Sequence, residues 1–308
     1  MSVDPMPSSK SAVHMLADKS LHILVTGATG HQGGTVLRHL RARGHRLRAL
    51  VRDKNPPAVK ELQKLGVEVF QGNFEDAHAI EQAAHYVDAA FLMSTAYEKG
   101  ADAEQVQGIA AIDALRAADV PYIVYSSVAS ATQHTGIPHF DSKFAVENHL
   151  RSSGTPFAIT APVAFIENMI APFALPALAQ GALAQATPPE KPVQMIALDD
   201  LGAFNTLVLE NPTKFRGQRV EIASDEVTGL QAAEILSRRA GRPIQFRQVP
   251  LEALRQRSED LARMMDWLSH HGYTVDIARL RRDYPDVGWH RFEEWAAEQD
   301  WARLLAPA

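Results

Sequence analysis

The chain has 308 residues, 46% of them hydrophobic, a formal net charge of −5 and no cysteine. That length supports one large core or a core with an annexed lobe, and the missing cysteines exclude disulfides, thiolate nucleophiles and cysteine–zinc sites. The acidic balance offers no footprint for nucleic acid or an anionic membrane, and no apolar run approaches the roughly 18 residues of a spanning helix.

Residues 1–20 are polar and lack the apolar segment of a secretion signal, so a disordered tail and a cytoplasmic protein are expected. Leu21 to Thr26 has the length and β-branched content of a buried strand. Gly27-Ala-Thr-Gly30-His-Gln-Gly33 follows, then a helix with Val36, Leu37 and Leu40 on its inner face, stopping at Gly44. A second strand, Arg46 to Val51, ends in Arg52. This β-α-β unit with glycines at its first turn is the arrangement that holds a dinucleotide pyrophosphate on a helix N-terminus. Gly27 is expected to permit the tight turn, Gly30 the approach of the phosphates and Gly33 close helix–strand packing. Thr29, His31 and Gln32 share the turn and count among the cofactor-binding candidates. Arg52, with Lys54 nearby, suits a ribose 2′-phosphate, whereas Asp53 falls one position late and points to the other side of the strand. NADP(H) is therefore favoured over NAD(H).

The alternation continues with a helix over Lys60–Leu65, a strand over Val67–Gln71, a helix over Asp76–Val87 and a strand over Ala89–Met93. A helix over Glu104–Ala118, a strand over Tyr122–Tyr125, a helix over Asp141–Ser153 and a strand over Phe157–Ala161 complete the first half. This rhythm predicts an α/β fold with a doubly wound parallel sheet (Rossmann), its ligand beyond the carboxyl ends of the strands. Asn73 with Phe74 stands where an adenine edge would lie, and Ser94, Thr95 and Tyr97 stand on the nicotinamide side. Each has the ordinary loop-initiating reading beside it. The first domain is read as residues 21–162 and a smaller α/β lobe, interleaved with it, as 163–308. In that lobe, strands are expected at Val193–Leu198, Arg219–Ala223 and Ile244–Val249. Asp199-Asp200 is expected to cap a helix over Leu201–Leu209, and Thr228 one over Gly229–Ala240. His270-His271 before Gly272 reads as a helix end, not a metal site. Met264, Met265, Trp267, Leu268, Trp289, Phe292, Trp295 and Trp301 read as core.

Three runs carry a family resemblance: Val124-Tyr-Ser-Ser-Val128, His139-Phe-Asp-Ser-Lys143-Phe-Ala-Val-Glu147 and Phe165-Ile-Glu-Asn168. With GATGHQG they resemble the NmrA-like family of atypical short-chain dehydrogenases/reductases over about residues 21–300. The resemblance implies NADP(H) binding, with Phe165, Glu167 and Asn168 beside the cofactor. It implies either a reductase of apolar or aromatic carbonyl, quinone or enone substrates, or a non-catalytic redox sensor acting through protein partners. Ordinary members of the superfamily pair a tyrosine and a lysine four residues apart on one helix face. Here Lys143 fits the lysine position but His139 stands where the tyrosine would be, and Val128 stands at the serine position, with Ser126 and Ser127 beside it. Lys143 as ribose ligand or acid/base and His139 as proton donor are the catalytic candidates. The apolar segment Phe165–Leu183 offers a substrate wall, which favours the enzyme. The missing tyrosine favours the sensor, and a homodimer or regulatory partner stays open.

Overall fold

A computed structural model describes residues 20–306, so nearly all of the expected disordered tail lies outside the described residues. Strands β1 (His22–Thr26), β2 (Arg46–Val51), β3 (Glu68–Gln71), β4 (Ala89–Met93), β5 (Ile123–Ser126) and β6 (Phe157–Pro162) belong to one parallel sheet. Between them run helices α1 (His31–Ala42), α2 (Pro57–Lys64), α3 (Ala77–Ala84), α4 (Ala101–Ala117) and α5 (Pro138–Ser152). A seventh strand, Arg219–Ile222, comes from the second half of the chain and pairs in parallel with β6, giving the order Arg219–Ile222, β6, β5, β4, β1, β2, β3.

Alternation along β1 shows why the sheet must be covered twice. Ile23 and Val25 pack with Val36, Leu37 and Leu40 of α1, whereas Leu24 packs with Ile80 of α3 and Ile112 and Leu115 of α4. Every residue of β1 is buried, as a parallel strand between two helical layers requires.

The second half adds β7 (Ala164–Phe165), α6 (Leu175–Ala179), β8 (Ala182–Gln185), β9 (Pro192–Ile196), α7 (Leu198–Glu210) and α8 (Pro212–Phe215). After the seventh sheet strand, now β10, come β11 (Asp225–Thr228), α9 (Gly229–Ala240), β12 (Gln245–Gln248), α10 (Leu251–Arg255), α11 (Glu259–His270), α12 (Ile277–Asp283), α13 (Phe292–Ala297) and α14 (Trp301–Leu304). This half contributes to the first one's core. Helix α7 packs on α1 so closely that a Cβ at Gly202 would lie 2.5 Å from Thr35 Cγ2. Small sheets β11-β9-β7 and β12-β8 enclose a separate core of Ile166, Met169, Leu236, Phe292, Trp295 and Trp301. Trp289 joins the main core against Phe204.

Several local expectations need correction. Helix α5 begins at Pro138, three residues before Asp141, because proline suits the first helical position. Asp199 and Asp200 lie inside the first turn of α7, and Ala197 takes the cap position. Pro192 opens β9 opposite Thr228 of β11, at the first position of the strand, where proline is tolerated. The strands at β7, β8 and β11 went unread because two to four residues carry too little periodicity. Thr228 does cap α9, in a reciprocal box with Gln231.

Asp200 instead holds the C-terminal segment. Its carboxylate accepts from Ser224 Oγ and from the His290 backbone N–H at 2.8 Å, and meets His290 Nδ1 at 2.5 Å. The hydrogen bond to Asp200 raises the imidazole to about 9 from 6.5. A histidine raised in the folded state stabilises fully below its unfolded pKa, and that contribution disappears as pH climbs through the folded value. Stability is therefore expected to fall between about pH 6.5 and 9 by an amount on the order of 3 kcal/mol, and the thermal midpoint with it. In His290→Gln that segment of the pH profile is expected to be flat, and an unchanged slope by calorimetry would refute the linkage.

Candidate functional site

The chain order reverses between β1 and β4, so a crevice opens beyond the carboxyl ends of the strands at that point. Thr26 seals its floor: Oγ1 donates to Phe91 O at 3.2 Å and accepts from the Met93 N–H at 3.0 Å. Gly27 has φ +63°, a conformation that favours glycine, and a Cβ there would meet Met93 Sδ at 2.6 Å. At Gly33 a Cβ would lie 2.3 Å from Thr26 O, so only glycine lets α1 approach the strand. Gly30 is different. A Cβ there would meet only Gly27 O, at 3.3 Å, with nothing else within 4 Å. Its surface is open, with the free N–H groups of the first turn of α1 beyond it. The residues present thus form a cradle that fits a phosphate group.

The strand ends hold the expected residues, but several polar atoms are already engaged. Gln32 Oε1 accepts from Ser126 Oγ at 2.7 Å, which ties the glycine turn to β5. Asn73 Oδ1 accepts from the Glu75 N–H at 2.7 Å, so its amide nitrogen is the part left for a ligand. Phe74 packs half-buried onto the core beneath α3 and α4. Thr95 Oγ1 accepts from the Tyr97 N–H at 3.3 Å. At the far end Arg52 meets Glu98 Oε2 at 2.6 Å, both exposed, and Lys54 is exposed beside it. Asp53 is held in its own turn by Asn55. Thr29 and His31 are exposed at the turn.

Glu167 is likewise already engaged. Its Oε1 accepts from the Leu198 N–H at 3.0 Å and the Trp295 indole at 3.1 Å, while Oε2 is buried with no partner among the described residues. Burial raises its pKa. The carboxylate thus ties the turn after β7 to α7 and α13. Phe165 is half-buried in β7, and Asn168 is exposed in the following turn.

Helix α5 carries the remaining candidates on one face, one turn apart. Lys143 Nζ donates to Ser94 O at 3.0 Å and pairs with Glu104 Oε1 at 2.8 Å. Glu104 is fully buried and also accepts from Ser94 Oγ at 3.1 Å and Ser142 Oγ at 2.6 Å. The Tyr125 hydroxyl lies 3.0 Å from Ser94 Oγ and closes the network. Ser94 is consequently a link between strand and helix, and its hydroxyl is not free for a ligand. His139 sits in the first turn of the helix, not in a loop, and is 6% exposed. Its Nδ1 lies 2.6 Å from Asp260 Oδ2, and its backbone N–H donates to Asp260 Oδ1 at 3.0 Å. Burial acts to raise the Asp260 carboxyl, but the hydrogen bond and charge of His139 outweigh it and lower the pKa. The Tyr97 ring, 78% exposed at the crevice mouth, lies 6.0 Å from the imidazole.

Neither Ser126, the last residue of β5, nor Ser127 after it joins Lys143 and His139. Ser126 is bonded to Gln32, and Ser127 donates at 2.5 Å to Glu147, a buried carboxylate held by Arg219. Val128 contributes its carbonyl to the same arginine. Sequence reasoning missed Glu104, Asp260 and Glu98. Glu104 had a signal, because it shares the spacing of Gly108, Ala111, Ile112 and Leu115 on the buried face of α4. Asp260 had none, standing 121 residues from its partner.

These features have known counterparts. The model of the NmrA-like family matches residues 19–296. A (4-alkanoyl-5-oxo-2,5-dihydrofuran-3-yl)methyl phosphate reductase of Streptomyces griseus is 30% identical over 236 residues, covering 76% of this chain and 79% of its own. Among solved structures, NmrA, a negative transcriptional regulator, superposes with a TM-score of 0.77 at 22% identity, over 92% of this chain and 99% of that one. The NADPH complex of an NADPH-dependent quinone oxidoreductase from Escherichia coli superposes with a TM-score of 0.67 at 23% identity, over 92% and 94% of the two chains. The match over nearly the whole length, together with the glycine turn and the single large sheet, makes this chain a member of the NmrA-like family.

Proposed function

We propose that this protein is an NADPH-dependent reductase of apolar or aromatic carbonyl, quinone or enone substrates. The observation that carries the reading is the pair on one face of α5: Lys143, anchored by buried Glu104 at the end of β4, and His139 one turn before it. Gly27, Gly30 and Gly33 would hold the pyrophosphate, and Arg52 with Lys54 the 2′-phosphate. Bound NADPH would supply a hydride. Lys143, held by Ser94 O and Glu104, would bind ribose hydroxyls on the nicotinamide side, and His139 would give the proton. Reductase relatives and NADP-complexed neighbours support the reading. The test is NADPH oxidation across a panel of quinones, aldehydes and enones; rates equal to buffer throughout would remove the reductase.

The absence of a tyrosine at position 139 favours a second reading, a non-catalytic NADP(H) sensor, which the regulator NmrA among the neighbours also supports. Both readings share the cofactor preference. NADPH is expected to bind more tightly than NADH by roughly 1.5–3 kcal/mol, the worth of a charge-assisted contact. The preference is measured net of the Arg52–Glu98 pair, which the 2′-phosphate must displace or share. Arg52→Ala is expected to remove most of the difference while sparing NADH affinity. Equal wild-type affinities by calorimetry would sink the assignment.

A further inference from the structure

We propose that Asp260 is a positioning residue: it fixes His139 as the proton donor of the reductase, with Nδ1 held and Nε2 turned to the substrate. The inference rests on the reductase reading above and adds a residue from the far half of the chain.

One carboxylate grips His139 twice. Oδ1 accepts the backbone N–H at 3.0 Å, and Oδ2 lies 2.6 Å from the ring Nδ1, at ion-pair distance but off the line of a hydrogen bond. Asp260 itself lies in the first turn of α11, whose cap is Ser258. Its charge therefore sits at the N-terminal ends of two helices, α11 and α5, where both dipoles favour an anion. Arg263 adds a positive charge from the next turn of α11. A carboxylate so placed is the acceptor within reach of an Nδ1–H, and a small turn of the ring that aligns the two leaves Nε2 facing outward.

Nε2 makes no hydrogen bond among the described residues, although the side chain is only 7% exposed. The ring packs edge-on against Phe140, centroids 4.8 Å apart, which bars rotation on that side. Tyr97 flanks it at the mouth of the crevice, and Lys143 stands one turn along the same face. The free nitrogen thus belongs to the group nearest the position of the absent tyrosine. Reduction of a carbonyl needs a hydride, which the cofactor supplies, and one proton. The donor is the imidazolium: its Nε2–H bond breaks as the new O–H bond forms, the neutral ring left behind keeps its proton on Nδ1 beside Asp260, and Nε2 regains its proton from water.

A merely structural role, capping α5, has to be separated from positioning. Asp260→Asn keeps an oxygen that can accept the backbone N–H but loses the charge that holds Nδ1–H. In this variant turnover is expected to fall 10- to 100-fold with NADPH affinity within twofold, as for loss of a group that orients another. Asp260→Glu is expected to recover part of the rate. In a His139→Phe background the Asp260→Asn change is expected to cost nothing further, because two groups acting as a unit are not additive. A readout independent of turnover is ¹⁵N NMR of the imidazole in the cofactor-free protein. The wild type is expected to show neutral His139 protonated at Nδ1, and Asp260→Asn a mixture of tautomers. Turnover that survives Asp260→Asn or His139→Phe, or a neutral His139 protonated at Nε2, overturns the role of Asp260 and leaves the reductase reading standing. No wild-type turnover on any substrate overturns both.

Discussion

Lys143→Met is expected to lower turnover by roughly 10²–10⁴, the range for loss of a group that supplies or relays a proton. NADPH affinity is expected to fall far less, since the glycine turn and Arg52 remain. The complication is Glu104. Removing the ammonium leaves this fully buried carboxylate with only Ser94 and Ser142 as side-chain donors. Breaking a buried pair from one side costs about 3–5 kcal/mol, so the variant is also expected to lose thermal stability. Lys143→Met combined with Glu104→Gln removes both charges together and is expected to regain most of that stability without regaining turnover. This separates chemistry from folding. Turnover in the double variant within tenfold of wild type would show that Lys143 serves the fold alone. Under the sensor reading no turnover exists to lose, and Lys143→Met would only weaken cofactor binding modestly.

The first half of the fold was legible because its signals are local. A buried strand announces itself by an unbroken apolar run, and a glycine turn by its spacing, so the β-α-β start and the parallel sheet could be read from residues a few positions apart. What could not be read was who pairs with whom across the chain. A strand was expected at Arg219–Ala223, but nothing in so short a run says that it completes the sheet beside β6. The candidate site divides the same way. Lys143 and His139 were found from an i, i+4 spacing, whereas Asp260 is brought to His139 only by the packing of α11. Polar residues at strand ends were read as ligand contacts because residue type alone cannot say which hydrogen bonds are already made. Ser94, Gln32 and Glu167 each also tie two elements together.

Gly30→Val and Gly33→Val are expected to fail in opposite ways, although the two glycines stand three residues apart in one motif. Gly30 has φ −100° and ψ −176°, extended backbone that valine adopts readily. Its new Cβ would crowd only Gly27 O at 3.3 Å. The cost to folding is the poorer helix cap, about 1 kcal/mol, or 2–4 °C in the thermal midpoint of a chain this size. The branched side chain nevertheless fills the cradle over the first turn of α1. NADPH affinity is expected to drop by about 100-fold or more, since losing two charge-assisted hydrogen bonds of about 1.5 kcal/mol each already amounts to that factor. At Gly33 a Cβ would lie 2.3 Å from Thr26 O and 2.5 Å from the Gly27 carbonyl carbon, both rigid backbone. Helix α1 would have to lift from β1, at about 3 kcal/mol or more of overpacking, and a loss of soluble protein is expected before any loss of affinity can be measured. Calorimetric titration with NADPH and a thermal melt on the two variants decide the matter. A Gly30→Val protein that still binds NADPH at wild-type strength would place the phosphates elsewhere, and a stable Gly33→Val protein would show that the contact between α1 and β1 is looser than these distances require.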